Sequence, residues 1–190
     1  MNPSSEAARH DQLSLERFVV FELDGEEYAV PITVITEVVP YVEIIPVPGA
    51  PEYILGLINL RGKVVPVLDL KKKFNLGHNT NGGHAHIMVA ESEQKLLFGI
   101  VVDYVREVLK VPHDSVKPAP QAVKEDISAE YVGGVIVLGG EQEDTAVEER
   151  ILVVLDLQKI LSDANVEELQ AAEASGQQST DKPINQEGAI

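Results

Sequence analysis

The sequence predicts a mainly β fold built from two copies of one small, strongly curved sheet or barrel, with short helices. Three observations carry that expectation. The apolar segments are short and rich in Val and Ile, as in Ile54 to Leu60 and Val64 to Leu68, and tight polar turns such as Arg61-Gly62-Lys63 separate them. The pattern Tyr53-x-x-Gly56-Leu57-Ile58-x-Leu60-x-Gly62 returns as Tyr131-x-x-Gly134-Val135-Ile136-x-Leu138-x-Gly140. Strands follow one another through turns rather than through long helices, which argues against a parallel α/β sheet.

Taken in order, residues 1–16 are polar and without period and read as a mobile tail. Phe18 to Leu23 is a strand, Asp24-Gly25 a two-residue hairpin turn, and Tyr28-Ala29-Val30 the return. Pro31 suits a first helical turn, and Ile32, Ile35 and Val39 fall at helical spacing, which predicts a short helix ending before Pro40. Val42 to Pro51, with three prolines, is an extended connection. After the strands of the opening pattern, Asp69 caps a helical turn through Phe74. Asn75 to Gly83 is a loop. His86 to Val89 and Leu96 to Val102 are strands, and Asp103 opens a helix-like segment, YVREVLKV. Pro112 to Ser128 is a polar connection, followed by strands Tyr131 to Leu138 and Ile151 to Leu155. Asp156 caps a last helix through Leu161, extending to about residue 172, and Ser175 onward is disordered. The domain expectation is therefore a tail (1–16), a two-unit domain (17–162), and a helix extension with an acidic tail (163–190).

The duplication sorts residues. Val67-Leu68-Asp69-Leu70 matches Val154-Leu155-Asp156-Leu157, and Tyr28-Ala29-Val30 with Glu37-Val38 matches Phe98-Gly99-Ile100 with Glu107-Val108. Positions that are apolar or glycine in both halves are structural on this reading. Polar residues of one half only are functional candidates: Arg61, opposite Gly139, and Asn59, opposite Val137. Neither half has much core by itself, so the two should pack together with a groove between them.

Composition narrows the function. Of 190 residues 44% are hydrophobic, yet no apolar run approaches the ~20 residues of a membrane helix and the N-terminus lacks a signal-peptide layout, so a cytoplasmic protein is expected. Cysteine is absent, which excludes disulfides and thiolate chemistry. The net charge of -16 sits largely in residues 1–16, 163–190 and an insert bearing Glu141, Glu143, Asp144, Glu148 and Glu149. Its placement speaks for solubility, and Lys71-Lys72-Lys73 is too little for nucleic acid. Catalytic signals are thin: no phosphate-binding glycine loop, no evident triad, and Asp69, Asp103 and Asp156 at capping positions. His84 and His86, spaced to share a strand face, leave open a metal-dependent enzyme. Arg61 has two compatible readings, a pair with Glu37 that fixes the turn and a guanidinium offered to a partner's carboxylate. Gly56, Gly62 and Gly99 read as turn, bulge or close-approach glycines.

The run Tyr53 to Gly62, then Val65-Pro66-Val67-Leu68-Asp69-Leu70, Phe98 to Asp103, and Lys117-Pro118-Ala119-Pro120 closely resemble the bacterial chemotaxis coupling family CheW, from about Phe18 to Leu161. The resemblance implies two intertwined five-stranded barrels of SH3-like form, no enzymatic activity and no cofactor. It implies an adaptor between the cytoplasmic tips of chemoreceptors and the regulatory domain of the histidine kinase CheA, in the cytoplasm and recruited to receptor arrays at the membrane without inserting into it. Carried over by position, Ile35, Glu37, Gly56, Asn59, Arg61, Gly62 and Gly99 are the expected receptor and kinase contacts. An adaptor of the same shape in another chemosensory pathway, such as pilus motility, is the close alternative. The acidic insert and the long C-terminal tail depart from the family pattern and bear on which receptor or kinase is accepted.

Overall fold

The computed structural model describes residues 15–76, 84–120, 129–139 and 149–163. Strands β1 (Leu15–Leu23) and β2 (Glu26–Pro31) form a hairpin on Asp24-Gly25, both with positive φ, as a two-residue turn compatible with strand twist requires. After a single 3-10 turn, Ile32–Val34, come β3 (Ile35–Pro40), β4 (Ile54–Leu60) and β5 (Lys63–Asp69), then helix α1 (Leu70–Phe74). Asp69 accepts bonds from the amides of Lys71 and Lys72 and caps α1, as expected. The second half supplies β6 (His86–Glu91), β7 (Leu97–Val102), β8 (Tyr104–Pro112), β9 (Val116–Lys117), β10 (Val132–Leu138), β11 (Arg150–Leu155) and α2 (Leu157–Asp163).

These strands form two sheets, in the orders β8-β1-β2-β11-β10-β9 and β3-β6-β7-β5-β4. Each sheet mixes both halves, so the halves exchange strands instead of folding side by side. The crossovers are the two parallel pairs, and they match under the duplication. Ala29 lies beside Val154 where β2 meets β11, and Gly99 lies beside Val67 where β5 meets β7. The first sheet ends on β9; in the second, a lone bridge between Ile45 and Leu57 takes that place beside β4. The intertwined β architecture implied by the resemblance is thus present, with six and five strands. Among the described residues neither sheet closes into a barrel through backbone hydrogen bonds.

Strand alternation places four apolar clusters, the smallest of them Ile54, Leu68, Phe98 and Leu161. Phe18 and Val20 of β1 face Ala29, Ile136, Leu152 and Val154 inside the first sheet. Ile87 and Val89 of β6 face Ile58, Val65, Val67 and Val101 inside the second. The opposite faces, with Val19, Phe21 and Leu23 from β1 and Met88 and Ala90 from β6, meet in a shared core that takes in Leu70, Phe74 and Tyr131. Strands buried on both faces explain why the sequence shows continuous apolar runs more than alternation.

Two sequence expectations are overturned. The segment Ile32 to Val39 is a 3-10 turn and strand β3, not a helix. Every residue in it except Glu37 is β-branched, and stiff χ1 rotamers favour the pleated sheet over the helical spacing of Ile32, Ile35 and Val39. The segment after Asp103 is likewise strand β8, with Val105, Leu109 and Val111 more buried than the residues beside them. The acidic insert, the loop core at 77–83, most of the N-terminal tail and the continuation beyond 163 lie outside the described residues.

Candidate functional site

The β4–β5 turn is where the two halves differ in chemistry. Leu60 pairs with Lys63, leaving Arg61 and Gly62 as the two turn residues, at φ 53° and 84°. Gly139, the counterpart of Arg61, has φ 89°. The turn demands a left-handed residue in both halves; the second half uses glycine, and the first places an arginine there at a cost of about 1–2 kcal/mol. Asn59 offsets part of that cost, since its Oδ1 accepts a 2.8 Å bond from the Gly62 amide and holds the turn. Val137 stands at the matching position, next to the glycine turn.

The Arg61 Nη2 donates to Glu37 Oε2 at 2.9 Å. Glu37 lies on β3 and Arg61 at the end of β4, the two edges of the second sheet, so this ion pair bridges edges that backbone bonds leave open. The first sheet has a different arrangement at its matching end, which ties the edge strand β8 to the internal strands β2 and β11. Glu107, the counterpart of Glu37, receives Nη1 of Arg150 from β11, and Arg150 also grips Glu27 through Nε and Nη2. These carboxylates, Glu27 first and Glu107 second, raise the Arg150 guanidinium above its already high ordinary value. Arg106 pairs with Glu22 beside them. The first sheet therefore ends in a mutually satisfied charge network. The second ends in one arginine whose side chain is 80% exposed against 22% for Glu37, with most of its donor fork open to solvent.

Of the expected contact residues, the structure brings together Glu37, Asn59, Arg61 and Gly62. Ile35 is half-buried against the shared core. Gly56 is internal: a Cβ there would stand 2.1 Å from the Ile45 carbonyl oxygen, which pairs with Leu57 across this point. Gly99 is buried mid-sheet, where a Cβ would meet Ile87 Cγ2 at 2.8 Å and Val67 Cγ2 at 3.1 Å. Both glycines serve close packing. Sequence reasoning missed Val38, Tyr41, Val42 and Ile45, large apolar side chains left exposed on and after β3. For Val42 and Ile45 the signal was present in the apolar residues of the proline-bearing connection, which read only as a spacer.

His84 precedes β6 and is exposed, while His86 opens the strand with a buried Nδ1 that has no hydrogen-bond partner among the described residues. Among the described residues no group of three or more His, Asp or Glu could hold a metal ion.

The CheW-like domain model matches residues 17–165. This chain belongs to the CheW family. It is 32% identical to the chemotaxis protein CheW of Klebsiella aerogenes over 77% of its own length and 82% of that protein's. It is 31% identical to the CheW of Treponema pallidum, covering 80% and 86%. The crystal structure of the scaffolding protein TtCheW from Thermoanaerobacter tengcongensis superposes with a TM-score of 0.65 at 32% identity, over 78% of this chain and 88% of that one. Protein FrzA of Myxococcus xanthus is 29% identical over 67% of this chain and 78% of its own length. CheW proteins are chemotaxis scaffolds and adaptors, not enzymes, and the metal-enzyme reading of His84 and His86 is set aside on that ground. Among the described residues, no helix is long and apolar enough to cross a membrane.

Proposed function

We propose that this adaptor couples the cytoplasmic tips of chemoreceptors to the histidine kinase CheA, in the cytoplasm at membrane receptor arrays, and lets receptors control kinase activity. The observation that carries the reading is Arg61: an arginine kept in a left-handed turn where the duplicated turn has glycine, with its side chain exposed. Partner binding gives that choice a reason. Glu37 holds one edge of the guanidinium, and the remaining donors suit a carboxylate on a receptor helix or on the kinase. Asn59 and Gly62 set the turn, and Ile35, Gly56 and Gly99 act through the backbone and packing that support it. The exposed Val38, Tyr41, Val42 and Ile45 supply apolar area alongside. Signalling then requires the adaptor to bind the active and inactive assemblies with different affinity.

The test is reconstitution with receptor tips and CheA, reading ternary complex formation and kinase activity together. The proposal fails if the chain forms no ternary complex with any receptor and kinase pair of its own cell. A second reading, the same adaptor in another chemosensory pathway, is supported by the similarity to protein FrzA. Running the reconstitution with both sets of receptors and kinases separates the two.

A further inference from the structure

The helices after the two parallel strands carry different residues at one matched position. Lys71 is the second residue of α1, and Gln158 is the second residue of α2. Each is tied to the hairpin tip of the other sheet, Gln158 directly and Lys71 through Asp103, which lies between β7 and β8. Lys71, only 3% exposed, puts its Nζ 2.6 Å from Asp103 Oδ1, and Asp103 Oδ2 accepts a 2.8 Å bond from the Asp24 amide in the β1–β2 turn. Asp103 also donates its own amide to the Glu22 carbonyl. On the other side, Gln158 Oε1 accepts from the Glu93 amide at 3.0 Å, and its Nε2 donates to the Glu91 carbonyl at 3.1 Å, clasping the β6–β7 turn.

α1 continues from β5 of the second sheet and is tied to a hairpin of the first. α2 continues from β11 of the first sheet and is tied to a hairpin of the second. The two ties are thus reciprocal across the duplication, one ionic and relayed through Asp103, the other a neutral amide that does both tasks itself. Apolar contact in the shared core is non-directional and tolerates small rotations between sheets; hydrogen bonds with fixed donors and acceptors do not. We propose that Lys71 and Gln158 are positioning residues: a pair of cross-ties that hold the two sheets in one relative setting. Because Glu37 and Arg61 sit at the edges of one sheet only, that setting fixes where they stand relative to the surfaces of the other. In this last step the inference rests on the adaptor reading; the setting itself does not.

The absence of cysteine allows clean spin labelling. Labels go at exposed Lys110 on β8 and Lys63 on β5, one per sheet, and pulsed dipolar spectroscopy reads the distance distribution in the free protein. Gln158→Leu, and Lys71→Met combined with Asp103→Asn so that no unpaired charge is left, should each at least double the width of the distribution while circular dichroism stays unchanged. In the unlabelled protein the same variants should lower ternary complex formation with receptor tips and kinase by about tenfold. Arg61→Gly, by contrast, should lower complex formation without broadening the distances. Unchanged widths in both tie variants overturn the proposal whatever the partner proves to be. Broadened widths with undiminished complex formation overturn the positioning role and leave the ties as contributors to rigidity alone. Failure of the parent protein to bind either partner counts against the adaptor reading, and the free-protein distances still decide the cross-ties.

Discussion

Replacing Arg61 by glycine separates the structural from the recognitive share of this side chain. In the folded state the change relieves a left-handed arginine, worth about 1–2 kcal/mol. Against that stand an ion pair to Glu37, worth about 0–1 kcal/mol at an arginine that is 80% exposed, and the added freedom of glycine in the unfolded chain, about 0.4–1 kcal/mol. The terms cancel to within about 1 kcal/mol, so the melting temperature should move by fewer than about 5 °C in either direction. Binding should respond differently. Loss of a charge-assisted contact at a partner carboxylate costs about 1.5–3 kcal/mol, which is tenfold or more in the affinity for receptor tips and kinase. The assays are thermal unfolding by circular dichroism and titration of the ternary complex on the same preparation. A fall of more than 10 °C would show that the turn needs the arginine to fold. An unchanged affinity would refute its role in coupling.

Gly56→Ala should be among the most damaging single changes, losing about 2–4 kcal/mol in urea unfolding, because its Cβ would collide with backbone at Ile45 rather than with a movable side chain. Gly99→Ala brings its Cβ to 2.8 Å from the Cγ2 of buried Ile87 and 3.1 Å from that of buried Val67, methyl groups fixed on branched Cβ atoms, and should cost about 1–3 kcal/mol in the same measurement. Lys71→Met alone leaves the Asp103 carboxylate, whose side chain is only 20% exposed, without its cation; a loss of about 3 kcal/mol is expected, and Asp103→Asn in the same chain should recover part of it. Arg150→Ala should lose about 1–2 kcal/mol, a figure reduced for solvent screening at a group 35% exposed. The raised Arg150 value means that its contribution is fully present below its unfolded value and lost only as pH rises through the still higher folded one. The difference between parent and variant should therefore be the same at pH 7 and pH 9.

The strands joined by tight turns were legible because their signals are local. Asp24-Gly25 and Arg61-Gly62 are two-residue turns, and Asp69 is a cap; each was readable from adjacent residues. The duplication was legible as well, and it singled out Arg61 and Asn59 before any geometry was known. The exchange of strands between sheets had no such local signal. Parallel pairing of Val67 with Gly99, or of Ala29 with Val154, is a long-range choice set by which apolar faces bury each other. β3 was misread because three apolar residues at helical spacing outweighed the run of β-branched residues, a propensity that a sheet edge rewards. The exposed apolar group at Val38, Tyr41, Val42 and Ile45 was hidden because burial, unlike hydropathy, is a property of the assembled fold.

Under the proposed function, it is divergence between the matched sheet ends that leaves the duplicated fold with one binding edge instead of two. The matched ends have diverged: Glu107 shares Arg150 with Glu27, while Glu37 meets only the exposed Arg61 among the ion pairs of the described residues. A carboxylate arriving at the first end would have to break the Arg150 contacts to Glu27 and Glu107. At the second it needs only to share an arginine already facing water. Grafting glycine at position 61 should therefore lower the affinity tenfold or more without redirecting binding to the Glu107 end, and recovery would require freeing Arg150 from its own carboxylates, which Arg61→Gly combined with Glu27→Gln and Glu107→Gln tests directly by titration of the ternary complex.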